Sequence, residues 1–176
     1  MAKIGLKNLY YAVITEGTNG AETYGTMKKI GEAVSVDVNP TTDTVTLYGD
    51  DMSVATDTQM RDVSVTIETT DIPLEDQAAL LGHTYSEGTL TAKGDDAAPY
   101  VGIAFESKMH NGKTRCVKLM KGKFAPTQEQ TNTKGESLQY QVPSLTGTFV
   151  SRADGVWKKV KDYDKGSSTA DWYTSF

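Results

Sequence analysis

Apolar and polar residues alternate cleanly over Arg61 to Thr69: Val63, Val65 and Ile67 share one parity, and Asp62, Ser64, Thr66 and Glu68 the other. A period of two sends successive side chains to opposite faces of a strand, so this segment predicts a strand with a buried aliphatic face and a wetted face. Residues 30–38 repeat the pattern, with Val34, Val36 and Val38 opposite Ser35 and Asp37. Residues 6–14 are β-prone, and the Gly-, Thr- and Asn-rich stretch at 17–26 reads as a loop. Tyr100 to Met109 and Lys113 to Lys121 flank Asn111-Gly112, a strong hairpin signal. Val101, Ile103 and Phe105 share a face in the first arm, as do Val117 and Leu119 in the second. A short strand at Thr89 to Lys93 and a final one at Val156 to Tyr163 are also expected, each beside a turn. Leu138, Tyr140 and Val142 alternate, Pro143-Ser144 interrupts, and the pattern resumes from Leu145 to Val150. That break predicts a bulge or a strand crossing between sheets.

Asp71 to Gly82 departs from the period of two and predicts the one helix. Pro73 suits a first turn, Glu75 and Asp76 sit near the positive end, and Gly82 suits the position just past the last turn. Leu74, Ala78 and Leu81 have the spacing of a buried stripe. Between residues 39 and 60 the chain is poor in aliphatic side chains. Pro40 is expected to end the preceding strand, and Thr44 to Tyr48 to add a short one bearing Val45 and Leu47. The whole stretch reads as a long excursion outside the main sheet, and loops of that length are usually functional or disordered. Residues 127–135 are polar and read as a solvent-facing strand or a mobile loop. The tail, 164–176, carries Trp172, Tyr173 and Phe176, which suits a docking segment or a segment folded back on the domain.

About eight to ten strands and one helix have few physical solutions: a β-sandwich or a partly closed barrel, with the helix over an open end or edge. The expected fold is mainly β, a single domain over residues 1–163 followed by the tail. At 176 residues the chain is long enough to bury a core without staples.

The single cysteine, Cys116, excludes an intrachain disulfide and lies in an alternating strand, which fits a structural residue in a reducing compartment. No stretch approaches the roughly 18 apolar residues of a membrane span, and the start lacks the apolar run of a signal peptide. The expectation is therefore synthesis in a cytoplasm and no membrane partner. The net charge of -5 is unevenly distributed, with 14 acidic and 5 basic residues in 1–90 against 9 acidic and 13 basic in 91–176. Such asymmetry reads either as an ordinary solvated surface or as two complementary faces that orient docking copies.

Candidate chemistry is sparse. His83 and His110 are both expected in exposed turns, without cysteines or carboxylates in a ligand spacing. The pairs Asp50-Asp51, Glu75-Asp76 and Asp95-Asp96 are adjacent, whereas acid/base catalysis needs carboxylates opposed across a cleft. Gly17 to Gly20 and Lys121 to Lys123 match neither a phosphate loop nor a dinucleotide fingerprint. One basic cluster gathers Lys113, Arg115, Lys118, Lys121 and Lys123, and another Lys158, Lys159 and Lys161. Both read as solvated strand faces, since an acidic chain lacks the broad basic footprint of nucleic-acid binding. The expectation is a protein that is not an enzyme and holds no cofactor or metal.

Several segments, in order, carry a resemblance to a known family. They are Gly5-Leu-Lys-Asn-Leu-Tyr-Tyr-Ala12, Thr46-Leu-Tyr-Gly-Asp-Asp51, Asp71-Ile-Pro with Ala79-Leu-Leu-Gly82, and Ala98-Pro-Tyr. Further along come Asn111-Gly-Lys, Lys118-Leu-Met-Lys-Gly-Lys-Phe124 and Thr133-Lys-Gly-Glu136. Across residues 5–150 the chain resembles the major tail protein, or tail tube protein, family of bacteriophages with long non-contractile tails that infect Gram-positive hosts. The resemblance implies a tail-tube-like β-sandwich or barrel with a flanking helix, assembled as hexameric rings whose inner sheets join into a continuous barrel. Rings would stack into a virion tail tube that conducts DNA without binding it specifically, after assembly in the host bacterial cytoplasm. Partners implied are further copies of the chain and the tail terminator, distal tail and tape-measure proteins.

The resemblance also implies inter-ring contacts from a long loop and terminal arms. Here those are residues 39–60, with Thr41, Asp43, Tyr48, Asp50 and Asp51 as the loop's candidates, the N-terminal arm 1–12, and the C-terminal tail. Candidates for the lumen face are Asp62, Ser64, Thr66 and Glu68, because like charge and hydroxyls on a duct wall keep DNA from sticking. The rival expectation is a β-sandwich carbohydrate-binding or adhesion module using some of the nine tyrosines; a small hydrolase is a third.

Overall fold

The computed structural model describes residues 2–18, 20–126 and 142–176. The polar stretch at 127–135, the Thr133 to Glu136 segment, and Leu138 and Tyr140 lie outside the described residues.

The protein is mainly β. In chain order its elements are β1 (Lys3–Glu16), β2 (Glu22–Tyr24), β3 (Lys28–Lys29), β4 (Ala33–Gly49), β5 (Met52–Thr69), helix α1 (Leu74–Leu81), β6 (Thr84–Ser86) and β7 (Thr89–Thr91). There follow β8 (Val101–Met109), β9 (Thr114–Ala125), β10 (Ser144–Val150), β11 (Lys158–Tyr163) and a 3₁₀ turn at Ala170–Tyr173. Nine strands form one antiparallel sheet ordered β2-β1-β8-β9-β10-β5-β4, with β3 added to β1 and β11 to β9; β6 and β7 make a separate hairpin. β11 pairs with Thr114 to Leu119 of β9 and β10 with Lys121 to Ala125, so the two lie end to end along one edge, opposite β8.

The sheet curls until β1 and β4 approach each other, yet no pairing between them closes it among the described residues. The result is a partly closed barrel around one core. Leu9 and Tyr11 of β1, Val63, Val65 and Ile67 of β5, Ile103 of β8, Leu119 of β9 and Phe149 of β10 are essentially free of solvent. Burying such side chains stabilises by about 1.5–3 kcal/mol each before the entropy of ordering is set against it. The packing leaves no room at Gly122, where a Cβ would lie 2.3 Å from the Phe149 ring. Phe149 also meets Phe124 edge to face, with centroids 5.8 Å apart.

The helix lies where the pattern places it, with Gly82 at φ 76 ending it in the left-handed conformation that glycine adopts at least cost. Its buried stripe differs from the expectation. Ala78, Leu80 and Leu81 face inward while Leu74 is exposed, because the Tyr11 hydroxyl donates to Asp76 (2.7 Å) and fixes the rotation of the helix on β1.

Four further expectations are corrected. Residues 39–60 are no loop: they are the distal part of a long β4–β5 hairpin, paired in register to its tip. Residues 1–12 are no free arm: β1 pairs with β8 and supplies Leu9, Tyr11 and Ala12 to the interior. Within 17–26, Glu22–Tyr24 forms β2 against β1, and the expected Val34 stripe is broken by a register shift between Ala33 and Ser35 that turns Val34 outward.

The tail resolves its two readings in favour of folding back. Tyr173 stacks beside Tyr10, Phe176 lies on Tyr24 with centroids 4.7 Å apart, and Lys118 donates to the Ser175 carbonyl. The tail thereby covers the outer face of β8 and β9, which explains why both faces of β8 are buried.

Candidate functional site

The face carrying the candidates Asp62, Ser64, Thr66 and Glu68 is part of a broader polar wall. All four reach solvent while Val63, Val65 and Ile67, between them, point into the core. Register places Ser35, Asp37 and Asn39 of β4 beside Glu68, Thr66 and Ser64, and Ser144, Thr146 and Thr148 of β10 on the other side. The Ser35 hydroxyl donates to Glu68 (2.7 Å), and the Thr66 and Thr146 hydroxyls lie 3.3 Å apart. Hydroxyls at facing positions of neighbouring strands stabilise the sheet modestly and keep its outer surface wet. The wall is hydroxyl-rich and carries carboxylates, with Lys123 following on β9 beside Thr148.

The hairpin candidates sit on a different surface. A bulge places Arg61 and Asp62 opposite Thr41, and beyond it the ribbon pairs with no other strand among the described residues. Thr44 faces Thr58 and Thr46 faces Thr56, forming a threonine ladder on one side, with the Thr44 and Thr58 hydroxyls 3.2 Å apart. Val45 and Leu47, with Ala55, occupy the other side. Near the tip Tyr48 and Met52 add apolar surface, and a second shift between Leu47 and Tyr48 leaves Val54 as an extra residue. Val45, Leu47, Tyr48, Met52 and Val54 are between 64% and 73% exposed, a concentration without parallel elsewhere among the described residues. Asp50 and Asp51 form the turn with φ of 49° and 62°, the positive pair that a two-residue type I′ hairpin turn requires. Asp43 pairs with Arg61 at 3.4 Å. Between Ala33 and Thr69 seven carboxylates stand against the single cation Arg61, so the hairpin is strongly acidic.

Pairing of β9 with β11 brings the two basic clusters onto one region, though many of their charges are engaged. Arg115 makes a two-pronged bond to Asp162 (2.7 Å each), Lys161 pairs with Asp171, and Lys121 bridges Glu16 and Glu22. Lys118 is buried under the tail, and burial pulls its ammonium below the ordinary range.

A cleft of about 440 Å³ opens at the unclosed seam between β1 and β4. Leu6, Val36, Val38, Phe105 and Val117 line it, with Lys3 and Lys158 also on its walls. Lys158 is held below its ordinary pKa by burial first, and then by the charges of Lys3 and Arg115.

The chemistry-bearing side chains are engaged structurally. His83 is not the exposed turn residue expected: its Nδ1 lies 2.8 Å from Asp96, both mostly buried. The Lys93 amide first and His83 second hold the Asp96 carboxyl below its usual range. His110 is exposed at the β8–β9 turn. Cys116 is buried, and burial, followed by the Glu106 charge, pushes its thiol up to about 12. Among the described residues no group of three or more His, Cys, Asp or Glu side chains could hold a metal ion. No described helix is long and apolar enough to cross a membrane.

No family model matches the chain, and no curated protein matches it. The sequence pattern anticipated the polar wall by its alternation. It missed the seam, whose lining residues lie on five strands, and it missed the apolar face of the hairpin, for which Val45, Leu47 and Val54 were the available signal.

Proposed function

We propose that the protein is a structural subunit that polymerises with copies of itself as stacked, hexameric rings, forming a phage tail tube through which DNA passes. One observation carries the self-assembly: a paired ribbon that extends beyond the core and keeps its apolar side chains in solvent. Apolar patches of that kind usually mark interaction sites, and a lone two-stranded ribbon gains its stability from packing against something. The outer edge of β4, which pairs with no strand among the described residues, adds a second reason to associate, since exposed edges template pairing with another chain.

In this reading the ribbon makes the contact between rings, and Thr41, Asp43, Tyr48, Asp50 and Asp51 lie along it or at its tip. The polar wall of Asp62, Ser64, Thr66 and Glu68 lines the lumen, where its carboxylates repel phosphates and its hydroxyls carry no positive charge to hold them. The tail terminator, distal tail and tape-measure proteins are the partners, the virion tail is the location, and the protein performs no catalysis. The test is sedimentation velocity across a range of protein concentrations, beside a glycan-binding screen. Concentration-dependent growth to large species supports assembly. Persistent monomers that bind a glycan would overturn it in favour of a carbohydrate-binding module.

A further inference from the structure

The hairpin tip and the seam cleft are matched in chemistry yet separated within one molecule. The tip joins an acidic turn, Asp50-Asp51, to the apolar side chains of Leu47, Tyr48, Met52 and Val54. The cleft joins Lys3 and Lys158 to an apolar lining that includes Val36, Val38 and Phe105. Twelve residues of paired strand separate Val38 from Asp50, about 40 Å at about 3.4 Å per residue. The exposure of Tyr48 and Met52 shows that the tip does not fold back into its own cleft.

We propose that the seam between β1 and β4 is the seat for the β4–β5 hairpin tip of a second copy of this chain. Resting on the assembly reading above, this names the surface that receives the ribbon. The two walls of the cleft suit the role. β4 has β5 on one side and no strand on the other among the described residues, so an incoming strand finds a row of unpaired backbone groups. The lysines meet the incoming aspartates, and carboxylates arriving beside Lys158 counter the burial, and after it the positive charges of Lys3 and Arg115, that hold its pKa down in the free subunit. Where each subunit gives its tip to one neighbour and takes a tip from another, the contact is heterologous and propagates a stack.

Chains each carrying one introduced cysteine test the pairing directly, since the native Cys116 is buried and its thiol is held in the unreactive form. Chains carrying Asp51→Cys are mixed with chains carrying Lys158→Cys under mild oxidation, and covalent dimers are read on a non-reducing gel. The expected result is a dimer at least tenfold more abundant in the mixture than in either variant alone. In parallel, Lys3→Glu with Lys158→Glu should raise the concentration needed for assembly at least tenfold, whereas Lys3→Arg with Lys158→Arg should leave it unchanged. If the wild type assembles while the mixture gives no selective dimer and charge reversal has no effect, the seat is wrong and assembly stands. If the wild type itself stays monomeric at every concentration, the assembly reading falls with it.

Discussion

Glu106 holds the C-terminal segment by accepting hydrogen bonds from residues that are far away in the chain. Only 8% exposed, its carboxylate takes donors from Asn8 (2.9 Å), Thr169 (2.9 Å) and Tyr173 (3.4 Å). Burial first, and then the Glu106 charge, pushes the Tyr173 hydroxyl well above its ordinary range, so it stays protonated and donating. Glu106→Ala strands these donors, and leaving buried polar groups unpaired costs about 1–3 kcal/mol. Urea unfolding should report a loss of that size, and hydrogen exchange should show residues 169–176 opening first. None of this was legible beforehand, because Glu106 reads as one polar position in an alternating strand and its partners lie on two other segments, β1 and the tail. Glu22 behaves similarly: bonds from Lys121 (2.7 Å) and Arg152 (2.9 Å) hold its carboxyl below the ordinary value of 4.5, against the opposing effect of burial. A depressed folded-state pKa gives stability that is fully present above the unfolded value and lost as pH falls through the folded one. Thermal melts from pH 7 downward should therefore hold steady to about 4.5 and then decline, and Glu22→Gln should start lower and decline less.

The elements with a strong local signal were legible: the alternation from Val63 to Ile67, the hairpin turn at Asn111-Gly112, and the helix ended by Gly82 all form as the pattern dictates. The distal half of the β4–β5 hairpin was not, for a physical reason. Both its faces are solvated, so no core imposes alternation, and its β-forming signal lies in threonines at facing positions. Pro40 was misleading too. It sits beside a bulge on a strand that lies at the sheet edge among the described residues, and bulges and edges are where a sheet tolerates proline. The same exposure yields a prediction at this scale. Leu47→Asp removes an apolar side chain that the monomer does not bury, so the melting temperature should shift by no more than the equivalent of about 0.5 kcal/mol. Assembly, followed by light scattering, should be abolished. A large loss of monomer stability with assembly intact would mean the ribbon packs on its own domain.

As a whole, the molecule is an incompletely closed barrel with an acidic ribbon leaving one side, a basic region around β9 and β11, and a hydroxyl-rich wall on the outside of β4, β5 and β10. The charge asymmetry between the two halves of the sequence becomes spatial because the hairpin gathers seven of the fourteen acids of the first half, while β9 and β11 draw their cations from the second. Complementary regions of this kind orient encounters and make them sensitive to salt. Neither the seam nor the direction of the ribbon could be read from the sequence, because both depend on how far the sheet curls. The central claim, that this chain builds a hollow tube from itself, is tested most directly by negative-stain electron microscopy of the concentrated, purified protein. The account predicts rings or stacked tubes with a stain-filled lumen, present for the wild type and absent for Leu47→Asp. A field of dispersed single particles at every concentration, in high and low salt alike, would contradict it.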